Sequence, residues 1–353
     1  MSKFLNSRLK HLKEYTPGEQ PQDKKYIKLN TNESPFPPSK KVISSITRGN
    51  IENLRLYCNP DATLLKSELA GAYGVKTENV FVSNGSDDIL NFAFLAFGED
   101  GVMFPDVTYG FYEVFARLHG LEYQKVPLNE DFTVNKEDYL SKNKLIVIAN
   151  PNAPTGILLP LSEVEEIVKS NGESVVLIDE AYVDFGGESA VSLTEKYANL
   201  LVVMTFSKSR SMAGARLGFA IGSRELIADL EKIKYSTNPY SINSLTQALG
   251  VATLKDDAYC RDNCKKIIKN REFTVIALER LGFSVLPSSA NFIFAKSAEI
   301  SGKELYLRLK KEGILVRHFD ADRIKDYNRI TIGNRKEMEA LVLAVKKILD
   351  ERK

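Results

Sequence analysis

Tryptophan is absent from these 353 residues, and cysteine and histidine occur only three times each. So few cysteines cannot form a disulfide framework. Cys58 stands alone, and Cys260 and Cys264, one helical turn apart, read as reduced thiols on a helix. His11, His119 and His318 share no ligand spacing, so metal chemistry is not expected. No run of about 18 apolar residues occurs, and no membrane span is expected. An excess of either charge is missing too. The 48 Lys and Arg residues against 46 Asp and Glu leave a net charge of +2, which argues against nucleic acid or a membrane surface as partner. The opening MSKFLNSRLKHLKEY is charged throughout and lacks the apolar centre of a secretion signal, so a cytoplasmic location is expected.

What remains is the composition of a soluble globular protein, 43% hydrophobic and 27% charged, long enough for two domains. Residues 1–30 are polar and carry Pro17, Gly18 and Pro21, which suits an arm lying over another surface. The turn-rich LNTNESPFPPS follows, with prolines that exclude helix and central strand. Short, wholly apolar segments then recur: VFVS at 80–83, VMF at 102–104, LIVIA at 145–149, VVLI at 175–178 and LLVVM at 200–204. Strands apolar on both sides and separated by helical or loop segments predict an α/β domain, with a mainly parallel sheet between helices. After about residue 240 the rhythm changes. A long helix pattern over 258–281 precedes FSVL, NFIFA, ILVR and NRITIG, which predicts a smaller α+β domain. The expected division is an arm (1–30), a large domain (31–240) and a small C-terminal domain (241–353).

Polar clusters follow the apolar segments, and parallel strands bring their carboxyl ends to one edge of a sheet, where ligands bind. Lys208 lies just past LLVVM, between Ser207 and Ser209, with Arg216 eight residues on. Such a lysine can condense with an aldehyde, while the hydroxyls and the arginine hold a phosphate. After VFVS comes Asn84-Gly85-Ser86-Asp87, either a plain helix cap or a place where the amides of Ser86 and Asp87 meet a phosphate. A carboxylate beside a phosphate repels it, so the Asp87 side chain is expected to point away. Asp179 ends VVLI, where a buried carboxylate needs a cation, and Tyr182 follows three residues later. Tyr109, after VMF, offers a flat apolar face, whereas Tyr112 reads as packing.

Thr205-Phe206-Ser207-Lys208-Ser209-Arg210-Ser211, with Gly214 and Arg216, resembles the cofactor-lysine signature of class-II, fold-type-I pyridoxal-phosphate aminotransferases. Asn30 to Pro38, Leu56 to Asp61, Asn84 to Leu90 and Asn328 to Gly333 extend the resemblance over almost the whole chain. It implies pyridoxal 5'-phosphate (PLP) as cofactor, with Lys208 as its covalent anchor and proton carrier. Asp179 would face the pyridine nitrogen, Tyr109 the ring and Tyr182 the phenolic oxygen. Gly85, Ser86, Asp87, Ser207 and Arg216 would surround the phosphate. Asn150-Pro151-Asn152-Ala153-Pro154-Thr155-Gly156 resembles the family's NPxNPTG loop, with alanine where the family has the asparagine that bonds the phenolic oxygen. Asn152 is the substitute to test.

Tyr57 matches a residue that reaches the neighbouring subunit's cofactor phosphate, which implies a homodimer. The implied reaction transfers the amino group of L-histidinol phosphate to 2-oxoglutarate, giving imidazole acetol phosphate and glutamate. Arg317 and Arg329 match the substrate anion-binding pair, with Tyr15 and Asn32 beside the substrate and Asn291 a further candidate. Decarboxylation of threonine phosphate, transamination of aromatic amino acids and a non-catalytic binding role stay open at this point.

Overall fold

The computed structural model describes residues 2–352. From the N-terminus, β1 (Ile27–Lys28) is followed by α1 (Lys40–Ser44), α2 (Arg48–Glu52) and α3 (Thr63–Tyr73). The central region then alternates: β2 (Val80–Ser83), α4 (Ser86–Phe97), β3 (Val102–Pro105), α5 (Phe111–His119), β4 (Tyr123–Val126), β5 (Leu145–Ala149), α6 (Leu161–Ser170), β6 (Val176–Asp179), β7 (Leu200–Thr205) and β8 (Gly218–Gly222). Next are α7 (Arg224–Thr237), α8 (Ser244–Lys255) and α9 (Asp257–Glu279). Last come β9 (Phe283–Val285), β10 (Phe292–Ser297), α10 (Gly302–Lys311), β11 (Ile314–Leu315), β12 (Arg317–His318), β13 (Asn328–Thr331) and α11 (Arg335–Asp350).

Seven strands form one sheet in the order β2-β8-β7-β6-β5-β3-β4. Alternate residues of one strand point to opposite cores. Ile146 and Ile148 join a cluster with α3 and α6, whereas Leu145 and Val147 join α4, α5 and α7 on the other face. This double burial explains why these strands have no polar face, whereas the edge strand β4 exposes Gln124 and Lys125. Pairing is parallel from β4 through β3, β5 and β6 to β7, but β8 is antiparallel to both of its neighbours. The cause is local: the chain returns from β7 to β8 through a loop with no crossover helix, and a parallel return needs one.

A second, antiparallel sheet has the order β12-β13-β10-β9. Ile293, Ile330 and Ile332 bury there against Leu305 and Leu309 of α10 and Met338, Leu341 and Val345 of α11. β1 pairs with β11, and Leu29 accepts from the Thr331 amide, so the segment before Asn30 is tied to this second unit. Arg323 fixes one seam between the units, donating to Asp106 (2.9 Å) at the end of β3 and to the Leu128 carbonyl (2.7 Å).

Candidate active site

Lys208, Asp179 and Ala149 follow or end adjacent strands, and the sheet delivers them to one cavity of about 400 Å³. Strand register forces part of this, because Ala149 pairs with Asp179 and Asp179 with Val203. The cavity wall also carries Tyr15, Asn32, Ser86, Asp87, Tyr109, Tyr182, Ser207, Arg216, Arg317 and Arg329. Thus thirteen residues, drawn from the arm and both sheets, face one space.

The lysine sits in a setting that favours a free amine. Its Nζ donates to the Thr31 carbonyl at 3.1 Å, and burial, then the positive charge of Arg329, pushes its pKa down to about 8. Asp179 is 5% exposed. Burial pushes its carboxyl up to about 6, against the opposing pull of a 2.8 Å hydrogen bond from the Tyr112 hydroxyl. A carboxylate in such a place needs a positive partner.

At one end of the cavity, α4 starts without a side-chain cap, leaving first-turn amides unclaimed by its own residues. Gly85 precedes it at φ +87°, and a Cβ there would meet Arg216 Nη2 at 2.6 Å. Behind the same turn lies Gly218, where a Cβ would come within 2.3 Å of the Ser86 amide nitrogen. Ser207 accepts from the Thr205 hydroxyl at 2.9 Å. At the other end, Arg317 and Arg329 stand opposite each other on β12 and β13. Facing like charges repel, and an anion between them removes the repulsion. Arg329 donates to the Asn30 carbonyl at 3.0 Å, while its buried Nε has no partner. Arg317 donates to the carbonyls of Thr16 (2.8 Å) and Pro17 (3.0 Å), which holds the arm across the opening. Tyr15 stacks on Phe111 at 4.2 Å.

Taken together, these groups fit a ligand with an anionic tail, a positively charged ring atom and an aldehyde within reach of Lys208. PLP has all three. Residues 24–345 match the family described as Aminotransferase class I and II.

The chain belongs to that family.

A histidinol-phosphate aminotransferase of Brachyspira hyodysenteriae is 51% identical over 352 residues, covering 99% of each chain. One from Marinomonas sp. is 49% identical over 351 residues, covering 98% of this chain and 99% of its own. Among solved structures, the histidinol-phosphate aminotransferase from Clostridium acetobutylicum has a TM-score of 0.85 at 26% identity, covering 92% of this chain and 99% of that one.

Not every expected residue of this aminotransferase reaches the cavity. Asn152 does not: its Nδ2 donates to the Val107 carbonyl (2.9 Å) and Thr155 hydroxyl (3.0 Å), and its Oδ1 accepts from Thr108 (2.8 Å). Its amide is committed to holding two loops together. Tyr57 is 83% exposed, lies outside the cavity and stacks on Tyr240 at 4.4 Å. Asn291 is buried behind the wall and donates to the Asn32 carbonyl at 2.9 Å.

The expectation that the Asp87 side chain turns away is corrected. Its carboxylate pairs with Arg216 (3.2 Å) and accepts from the Tyr109 hydroxyl (2.9 Å). The guanidinium and the positive end of α4 together draw it in. Tyr112 packs in the core as expected, fully buried, and its hydroxyl in addition donates to Asp179.

Proposed function

We propose that this aminotransferase uses PLP to interconvert L-histidinol phosphate and 2-oxoglutarate with imidazole acetol phosphate and glutamate, a step of histidine biosynthesis. The observation that carries this reading is the Arg317–Arg329 pair opening onto the same cavity as Lys208 and Asp179. One pocket must accept a phosphate monoester in one half-reaction and a dicarboxylate in the other. Two guanidinium forks can hold either oxyanion. Relatives at 51% and 49% identity carry the corresponding name.

In this reading Asp179 would hold the pyridine nitrogen protonated, Tyr109 would cover the ring, and Tyr182 would donate to the phenolic oxygen. Ser207, Arg216 and the amides of Ser86 and Asp87 take the phosphate, with Gly85 leaving room for them. When bound, the cofactor supplies an electron sink that acidifies the substrate's α-carbon. Lys208 would anchor the cofactor and would carry the proton at that carbon. Its depressed pKa suits a base working near neutral pH. Tyr15 and the arm cover the substrate, which excludes water and strengthens the arginine contacts. Asn32 stands at the junction of substrate and ring.

We also read the chain as a cytoplasmic homodimer in which Tyr57 serves the partner's phosphate. The exposed Leu54, Leu56 and Tyr240 around it support a covered face. The division at residues 30 and 240 remains our reading, with α8 packed on α3 across the second boundary.

The test compares half-reactions of the PLP-loaded protein with histidinol phosphate, phenylalanine and threonine phosphate. The expected result is at least about tenfold higher kcat/KM for histidinol phosphate. Phenylalanine reacting faster, or carbon dioxide released from threonine phosphate, would contradict the assignment.

A further inference from the structure

Tyr182 lines the cavity with its ring fixed edge-on against Phe292, at a centroid distance of 5.0 Å. Only the direction of its O–H is free, and a neighbour on the chain decides it. Asn32 Nδ2 donates to the Tyr182 oxygen at 3.0 Å. The amide cannot be turned round without loss. Asn32 Oδ1 accepts from the Thr331 hydroxyl at 2.9 Å, and the same hydroxyl accepts from the Asn32 backbone N–H at 3.0 Å. Asn291 completes the clamp on the Asn32 carbonyl. Asn32 is 1% exposed and sits at φ +57°, a conformation that asparagine tolerates better than most residues.

We infer that Asn32 is a positioning residue: by donating to the Tyr182 oxygen, it directs that phenol's own proton into the cavity. A hydroxyl held as acceptor by a fixed donor has its hydrogen available elsewhere. The loop across the cavity cannot share the task. Ala153 presents only a methyl group there, and Asn152 is bonded at both ends to Thr108, Val107 and Thr155. Tyr182 therefore serves the ring oxygen without help from that loop, and Asn32 with Thr331 sets its aim from the second sheet. The inference rests on the cofactor assignment made above. The other charged or titratable groups around the phenol are Arg329, Asp179, Asp87, Lys208, Tyr15, Tyr109 and Tyr112. All of these stay in place in the variants that follow.

The test is a pH titration of the visible absorbance of the PLP-loaded protein, with kcat measured alongside. Asn32→Gly removes the donor, adds no charge and accepts the backbone angle. It should raise the spectroscopic pKa by about one unit, the worth of one lost hydrogen bond, and lower kcat about tenfold. Thr331→Val leaves Asn32 in place but frees its amide, and should shift the titration the same way by less. In a Tyr182→Phe background Asn32→Gly should add nothing. A full-sized shift in that background, or unchanged titrations in both single variants while the parent binds and titrates normally, would overturn the inference alone. A parent protein that binds no PLP would overturn the cofactor assignment and this inference with it.

Discussion

Replacing Asp179 by asparagine should make the cofactor-free protein more stable at alkaline pH while destroying its activity. The carboxyl has an ordinary value of 3.8 and is pushed up to about 6 by burial in the folded chain. A folded value above the unfolded one means that stability is complete below the unfolded value and is lost as pH rises through the folded one. The gap is about two units at about 1.4 kcal/mol each, so ionised Asp179 costs about 3 kcal/mol above pH 6. Asparagine keeps the shape and can still accept the Tyr112 hydrogen bond, but it carries no charge to bury. For a chain of this length, about 3 kcal/mol corresponds to about 4 °C in Tm. Thermal unfolding of cofactor-free parent and Asp179→Asn at pH 8 and pH 5 is the assay. The gain should be full at pH 8 and about halved at pH 5, where the unfolded carboxyl is already ionised, while the variant's transaminase activity is lost at both. An equal gain at the two pH values, or none at pH 8, would refute the argument that the carboxylate is held at a cost for its partner's sake.

Two further predictions concern the cations. Lys208, at about 8 rather than 10.5, offers roughly 300-fold more free amine at neutral pH than an exposed lysine. PLP uptake by the cofactor-free protein should therefore quicken with pH and level off above about pH 8, and Lys208→Ala should abolish turnover. A rate still climbing at pH 10 would contradict the depressed value. Arg329→Ala should cost about a hundredfold or more in kcat/KM for both amine and oxoacid, because a largely desolvated cation is removed. Arg317→Ala, whose guanidinium also holds the arm, should cost about tenfold. Equal and negligible losses would dispose of the anion pair.

Much of this is legible in the sequence, for a physical reason. A strand buried on both faces has no polar positions, so the first lysine or carboxylate beyond its last apolar residue marks a sheet edge. Lys208 after LLVVM and Asp179 after VVLI were readable in that way. Residues that act from the side were harder to read. Tyr112 sits on the core face of α5, and nothing local says that its hydroxyl reaches Asp179, which lies 67 positions away. Asp87 looked like a liability beside an anion site, because its pairing with Arg216 depends on how the β7–β8 loop returns. That return also made β8 antiparallel, a direction that apolar content alone cannot reveal. The two-residue pairing of β1 with β11 is too short to leave a periodic trace. Asn152 sits in a loop whose neighbouring residue, Ala153, departs from the family's pattern, and its side chain turns to a local task.

The closeness of Gly218 to the Ser86 amide has a consequence for altering this enzyme. A library built by varying only the residues that face a ligand would leave that glycine untouched, since it presents no side chain to anything. Yet its two hydrogens set the depth at which the helix end can lie, so the tolerance of the anion cradle to change is decided from its reverse side. Enlarging the pocket from the front while adding one carbon at the back would push the amides forward and cancel the gain.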